Sequence, residues 1–384
     1  MSLTWYLANI FYDAIGLILD SLASYAGDRP GSMKQLMSIG FWPGGGDRDG
    51  NPFGDTDVTR DVARKLCNLI VSCYHINVRE LKRRFSFAGV FAELETLQFR
   101  LHQELSGDPA TPIAVAEMLE LLQKIERIVA EKYQGLFVGR LHSLRRKLSV
   151  FGLHFASLDI RQDSRVIKST LDTILAAHQQ LLTANFASLP ETDQIERLLQ
   201  IKGSVQAEEL SDPIVLDTLR SLHVIREIQL ANGEAGCHRC IISNCSGVMD
   251  IVRLIALFRL TGWDMEKLSV DIIPLFESIR DLNNAGKHMA RLYAFQDYRQ
   301  HLRRRANQQT SKPANHYAGI LRWHQGRRLS DGELGDLSGE GRSHGSVAYR
   351  QRGSGILRWA RRAARQRGRQ YLRILCRARQ EDRE

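Results

Sequence analysis

Proline is scarce in this chain, nine residues in 384, and cysteine scarcer still at six. So little proline excludes collagenous and proline-rich architectures. The cysteines, Cys67, Cys73, Cys237, Cys240, Cys245 and Cys376, follow no cleavable signal pattern, so free thiols in a reducing cytoplasm are expected. A long apolar run without charge is lacking too. The most apolar stretch, Leu3–Leu22, carries Asn9, Asp13 and Asp20, each costly in lipid, and reads as an amphipathic core helix with no membrane partner. What is present is ordinary: 43% hydrophobic and 25% charged residues match a soluble globular chain. The length suits one large domain or two to three smaller ones and excludes a disulfide miniprotein.

The net charge of +10 is unevenly placed. Residues 311–384 hold 17 basic and 7 acidic residues, leaving 36 of each sign in 1–310. Sixteen of the 17 are arginine, and the apolar residues there follow neither a helical nor a strand period. A boundary near Thr310 follows.

Before that boundary helical spacing dominates, with helices expected at Leu3–Gly27, Thr59–His75, Val78–Phe85, Phe91–Leu105, Thr111–Tyr133, Gly135–Ser149, Val166–Gln180, Glu191–Lys202, Asp212–Ala231 and Met249–Thr261. Four short runs read as strands: Leu36–Phe41, Phe151–Ile160, Arg239–Asn244 and Val270–Glu277. Strands separated by helices, each ending in a polar or glycine-rich segment, are the rhythm of a parallel-strand barrel, where reactive groups gather at the strand ends. Those ends supply Asp47, Arg48 and Asp49, then Arg161, Gln162 and Asp163, then Ser243, and last Glu277.

Each candidate has two readings. The run Gly44–Pro52 (GGGDRDGNP) lets the main chain approach a ligand closely, or it forms a tight loop with a self-satisfied Asp47/Arg48/Asp49 cluster. Arg161 offers a fork for phosphate or carboxylate, or a salt bridge to Asp159 or Asp163. Glu277 follows a buried strand and is either an oxygen ligand for a hard divalent cation or a hydrogen-bonded core carboxylate. Cys237 and Cys240 form a C-x-x-C without a second pair, which argues against zinc or redox chemistry. His154 and His288 read as ordinary core or surface residues.

Taken in order, GFWPGGGDRDGNP with DVT, FGLHFASLDIRQDS, CHRCIISNCSG, VDIIPLFESIRDLNNA and HLRRRANQQT resemble the phosphoenolpyruvate carboxylase family over residues 3–310. The resemblance implies a mostly helical α/β chain forming part of a (β/α)8 barrel. It also implies a cytoplasmic homotetramer and Mg²⁺-dependent carboxylation of phosphoenolpyruvate by bicarbonate, giving oxaloacetate and phosphate for the tricarboxylic acid cycle. By position, Glu277 falls on a metal ligand of the family, Arg161 on an arginine facing the substrate phosphate, and Arg48 and Asp49 within the active-site loop. The chain departs from the family by an extra glycine among Gly44, Gly45 and Gly46 and by Gly54–Thr56 in place of a Val-Thr-Ala type sequence.

The family's T-A-H-P-T-E segment, with its base histidine, is expected upstream of Trp5, and its F-S-D-G-T-K-D-G-G and F-F-D-G-R-G-G-P-P motifs after Thr310. None is present as written. Gly319–Leu337 (GILRWHQGRRLSDGELGDL) can nonetheless be encoded so that a one-base shift reads GFSDGTKDGGYLMANWAI. Ile356–Gly368 can likewise read FFDGRGGPPARGG. The expectation is therefore a truncated, inactive fragment whose residues 311–384 are an out-of-frame, disordered tail. Two other readings are a module that binds phosphoenolpyruvate without turnover, and a basic protein that binds polyanions through 311–384, with nucleic acid the weaker expectation.

Overall fold

The computed structural model describes residues 3–26, 37–40, 44–49, 51, 54–107, 112–183 and 185–310, and of residues 3, 26 and 306–310 the backbone only. The proposed tail at 311–384 and parts of the glycine-rich run lie outside these residues.

The chain is mostly helical with a small parallel sheet. α1 (Leu3–Tyr6) passes through a π-helical turn (Leu7–Phe11) into α2 (Tyr12–Ala26), and four long helices follow: α3 (Thr56–Arg84), α4 (Phe91–Ser106), α5 (Val115–Lys132) and α6 (Val138–Phe151). β1 (Leu158–Asp163) leads into α7 (Ser164–Ala177), α8 (Glu191–Leu199) and α9 (Pro213–Asn232) before β2 (Cys237–Ser243). Then come α10 (Val248–Leu260), β3 (Asp271–Pro274), α11 (Ile279–Ala294) and α12 (Gln296–Thr310).

Helix α3 shows why such segments form. Asp55 caps its first turn by accepting from Val58 N, and Lys82, Arg83 and Arg84 sit at its negative end. Thr59, Ala63, Leu66, Ile70 and Tyr74 recur every three or four residues and are buried. The sequence predicts a break near Asn77, but the helix runs through. Asn77 Oδ1 accepts from Tyr12 Oη (2.8 Å), so this side chain bonds across to α2 rather than competing for its own backbone.

The N-terminal helical stretch, Thr4–Tyr25, is long and apolar enough to cross a membrane by length and composition. One face is buried through Leu7, Tyr12, Ile15 and Leu19, while Phe11, Leu17 and Tyr25 are exposed. Asp13 meets Lys147 (3.1 Å) and Asp20 meets Arg146 (2.7 Å), so the charges of this stretch dock it on α6.

The sheet has the order β1-β2-β3, with both pairs parallel. Its register pairs Arg161 with Ile241, and Ile241 with Ile273. Side chains alternate between two faces. Ile160, Cys240, Ile242 and Ile272 enter the large core beneath the helices, whereas Ile241, Ile273 and Leu275 form a small separate cluster on the open face.

Three strand expectations are corrected. Phe151–Ile160 is the end of α6 followed by a turn through Gly152 (φ 50°) and Phe155 (φ 58°), and the strand begins only at Leu158. The aromatic alternation there packs Phe151 and Phe155 around Tyr12, with ring centroids 5.2–6.2 Å apart. Val270–Glu277 narrows to Asp271–Pro274, because proline has no N–H for the ladder, although Leu275 N still reaches Ile242 O (2.9 Å). Of Leu36–Phe41, the described residues 37–40 form no strand. Ser157 N donates to Ile39 O (2.9 Å), and among the described residues of the glycine run that follows, one parallel bridge, Asp47 to Arg161, pairs it with β1.

Candidate active site at the carboxyl ends of the strands

The bridge at Asp47 is the foundation of the site. Arg48 N donates to Arg161 O (3.0 Å) and Arg161 N donates to Gly46 O (2.9 Å), which lays the glycine loop along β1 as an extra edge. The approach requires glycine. A Cβ on Gly46 would stand 2.1 Å from Asp159 O, and Gly45 sits at φ 91° against Val62 and Thr59.

In-register residues of a parallel pair share a face, so Asp47, Asp49 and Arg161 meet. The Arg161 guanidinium is buried, 7% exposed at the residue level. Its Nη2 bonds Asp49 Oδ2 and lies 3.5 Å from Glu277 Oε1, while Nη1 lies 3.5 Å from Asp47 Oδ2. Its Nε is buried without a hydrogen-bond partner among the described residues. One cation therefore faces three carboxylates from two segments of chain, an arrangement with excess negative charge. It is neither of the salt bridges predicted for Arg161. Asp159 pairs instead with Arg239 (2.6 Å) and Asp163 with Arg165 (2.6 Å).

Glu277 is held by the backbone after β2. Asn244 adopts φ 50°, a left-handed conformation that asparagine tolerates, and its N–H donates to Glu277 Oε2 (3.1 Å). The Asn244 side chain donates to Asp163 Oδ2 (2.8 Å). Asp163 also caps α7 and accepts from Arg165, which holds its carboxyl below the usual range. Ser243 is fully buried, and its Oγ has no partner among the described residues. Gln162 turns toward Thr218 (3.5 Å).

Arg48 stands apart from this cluster. It points to the helix side, where Nε donates to Asp217 Oδ2 (3.1 Å) and Nη2 to Thr59 Oγ1 (2.9 Å). The structure thus brings Asp49, Arg161 and Glu277 together and places Arg48 behind them. Asp217 and Asn244 were not singled out by sequence reasoning. An Asn directly after a β-rich run could have flagged the second, but nothing local marks the first.

The C-x-x-C thiols are buried, and burial pushes Cys240 up to about 12, which leaves no thiolate at neutral pH. Among the described residues no three His, Cys, Asp or Glu side chains come together as a metal cage. Mg²⁺ calls for octahedral oxygen coordination, and Glu277 offers one carboxylate already shared with Asn244 N and Arg161. The described residues on their own do not make a metal site.

Parallel strands whose carboxyl ends gather charged side chains, flanked by a glycine-rich backbone segment, define a class: α/β proteins that bind ligands at that end of the sheet. Within it, this chain belongs to the phosphoenolpyruvate carboxylase family, whose family model matches residues 5–112 and 108–311. Relatives named phosphoenolpyruvate carboxylase include one from Bradyrhizobium diazoefficiens, 29% identical over 330 residues, a match covering 73% of this chain and 35% of the relative. Others come from Rhodopseudomonas palustris (27% over 327 residues, 73% and 35%) and Aromatoleum aromaticum (29% over 319 residues, 69% and 34%). The chain spans about a third of the length of the curated relatives it matches, 34–35% in these three.

Proposed function

We propose that this chain is a segment of a phosphoenolpyruvate carboxylase, the cytoplasmic lyase that forms oxaloacetate and phosphate from phosphoenolpyruvate and bicarbonate as a homotetramer. On this reading the three strands and the loop bridge are an arc of a (β/α)8 barrel. The observation that carries it is Arg161: a buried guanidinium at the end of β1, its Nε unpartnered, opposite a glycine-rich loop. A planar fork of this kind matches phosphate oxygens. Asp49 and Asp47 orient the guanidinium, and Glu277 is the carboxylate among the described residues that the family resemblance assigns to Mg²⁺. The cation, when bound, supplies positive charge that offsets the three carboxylates.

Residues 3–310 taken by themselves carry neither the T-A-H-P-T-E histidine nor the F-S-D aspartate, so we propose that this segment in isolation binds without turnover. Residues 311–384 are proposed to be read out of frame.

Calorimetric titration of phosphoenolpyruvate with Mg²⁺ tests the site. Wild type should bind and Arg161→Ala should not; equal heats from the two would overturn the assignment. Oxaloacetate formation at a normal rate would overturn the absence of turnover. Resequencing the genomic DNA across the Thr310 codon tests the frame. An unshifted reading that still encodes the arginine-rich tail would refute it.

A further inference from the structure

We infer that Asp217 is a positioning residue: it holds the glycine loop in the register that sets Asp47 and Asp49 on Arg161. The functional weight of this inference rests on the reading of the Arg161 cluster as the substrate site.

Asp217 lies on the second turn of α9, 169 residues from Arg48. Its Oδ2 accepts from Arg48 Nε (3.1 Å), and its Oδ1 accepts from Thr56 N (2.8 Å) and Thr56 Oγ1 (2.6 Å). Arg48 continues the chain of bonds to Thr59 Oγ1, which donates to Gly45 O. One carboxylate therefore ties α9 to the first turn of α3 and, through Arg48, to the loop. The Arg48 side chain is 3% exposed, so this bond is largely out of water.

Alternation on the extended segment makes the tie directional. With Arg48 pinned to the helix side, its neighbours Asp47 and Asp49 must face the other side, where Arg161 lies. A slip of one residue would exchange every side chain between faces. It would bring Arg48 up to Arg161, cation against cation, and turn Asp47 or Asp49 toward Asp217, anion against anion. Both misplacements are repulsive and both native placements attractive, so Asp217 acts as the key for the loop's register. A run of three glycines, Gly44–Gly46, constrains register weakly by itself, which is why an outside key is needed.

Three variants of the full chain test this by amide hydrogen exchange at Arg48 and Arg161, whose N–H groups bond only in the native register, and by phosphoenolpyruvate titration. Asp217→Asn keeps the size but loses the charge, and should speed exchange at both amides by roughly 10-fold or more. It should also weaken phosphoenolpyruvate by about 10-fold. Asp217→Glu should recover part of both effects. Thr56→Val removes only the hydroxyl leg to α3. It should lower the melting temperature while leaving exchange at Arg48 and Arg161, and the affinity, unchanged. Should Asp217→Asn not fold, Arg48→Gln cuts the same bond from the loop side and is read in the same way.

The inference is overturned if loss of the Asp217–Arg48 bond leaves exchange at Arg48 and Arg161 at the wild-type rate. It is equally overturned if Thr56→Val loosens them as much, or if phosphoenolpyruvate binds wild type and Asp217→Asn alike. Failure of wild type to bind phosphoenolpyruvate is a different result. It sinks the substrate reading, and the exchange rates alone then decide the positioning role.

Discussion

The open face of the sheet is charged at both ends, but the ends are built differently. Where the strands begin, each carboxylate meets a buried guanidinium: Asp159 has Arg239 (2.6 Å), and Asp271 has Arg305 (2.6 Å), which also reaches Glu234 (2.9 Å). Where the strands finish, the single guanidinium of Arg161 faces Asp47, Asp49 and Glu277. A matched pair satisfies itself and has nothing left to offer a ligand. An unmatched cluster is incomplete, and completing it is what a cation or an anion can do. The same residue types thus serve cohesion at one end and binding at the other.

The largest test of this contrast is thermodynamic. Asp159→Ala leaves Arg239 buried without its partner and should cost about 3–5 kcal/mol in urea denaturation at neutral pH. Asp49→Asn, at the other end, removes one of three competing carboxylates from a partly open cluster and should cost less than about 1 kcal/mol. Equal losses would erase the distinction. Next in size, Arg161→Ala should lower phosphoenolpyruvate affinity at least about 10-fold, or ~1.4 kcal/mol. Arg305→Ala, which breaks the matched end, should act on stability instead.

Acidity sharpens the comparison further. Burial and the neighbouring Arg305 push the His301 imidazole down to about 4, whereas burial pushes the Asp159 carboxyl up to about 6 despite Arg239. Lowering pH from 6.5 therefore protonates His301 in the unfolded chain first, and stability is lost toward pH 4. For Asp159 the folded state takes the proton first, so its contribution is present below the unfolded value near 3.8 and is lost as pH rises through about 6. The two oppose each other at ~1.4 kcal/mol per pH unit each. Buried His238, pushed down to about 3, loses stability over the same range, so between pH 6 and 4 stability should fall less steeply on acidification in His301→Gln than in Asp159→Asn. Parallel slopes would refute the assignment. The smallest effect belongs to neither end: Lys168→Ala breaks an exposed pair with Asp172 and should shift stability by less than about 0.5 kcal/mol.

Much of the helical frame was legible because a buried helix face repeats every three to four residues, as Thr59 to Tyr74 do in α3. Arg161 and Glu277 were legible for a related reason: each is an ionisable residue directly after an apolar run. The errors share another cause. Phe151–Phe155 alternates like a strand, yet its rings gather around Tyr12 from a distant helix, and no local pattern encodes that. Helices α11 and α12 escaped notice because their charged sequences bury little besides Leu292, Tyr298, His301 and Arg305. Asp217 was invisible for the plainest reason. On α9 it looks like any half-exposed aspartate, and its meaning comes from a loop 169 residues away.

One contact joins the two ends of the sheet. Gly46 packs directly against the carbonyl of Asp159, and the carboxylate of that same Asp159 pairs with Arg239. A side chain at position 46 would push the Asp159 backbone away and carry its carboxylate with it. The consequence is epistasis. Gly46→Ala and Arg239→Met lie in different segments and never touch the same atoms of one another, yet their costs should not add, since each spends its effect on the same residue. Each change should therefore cost less in a chain that already carries the other than in one that does not.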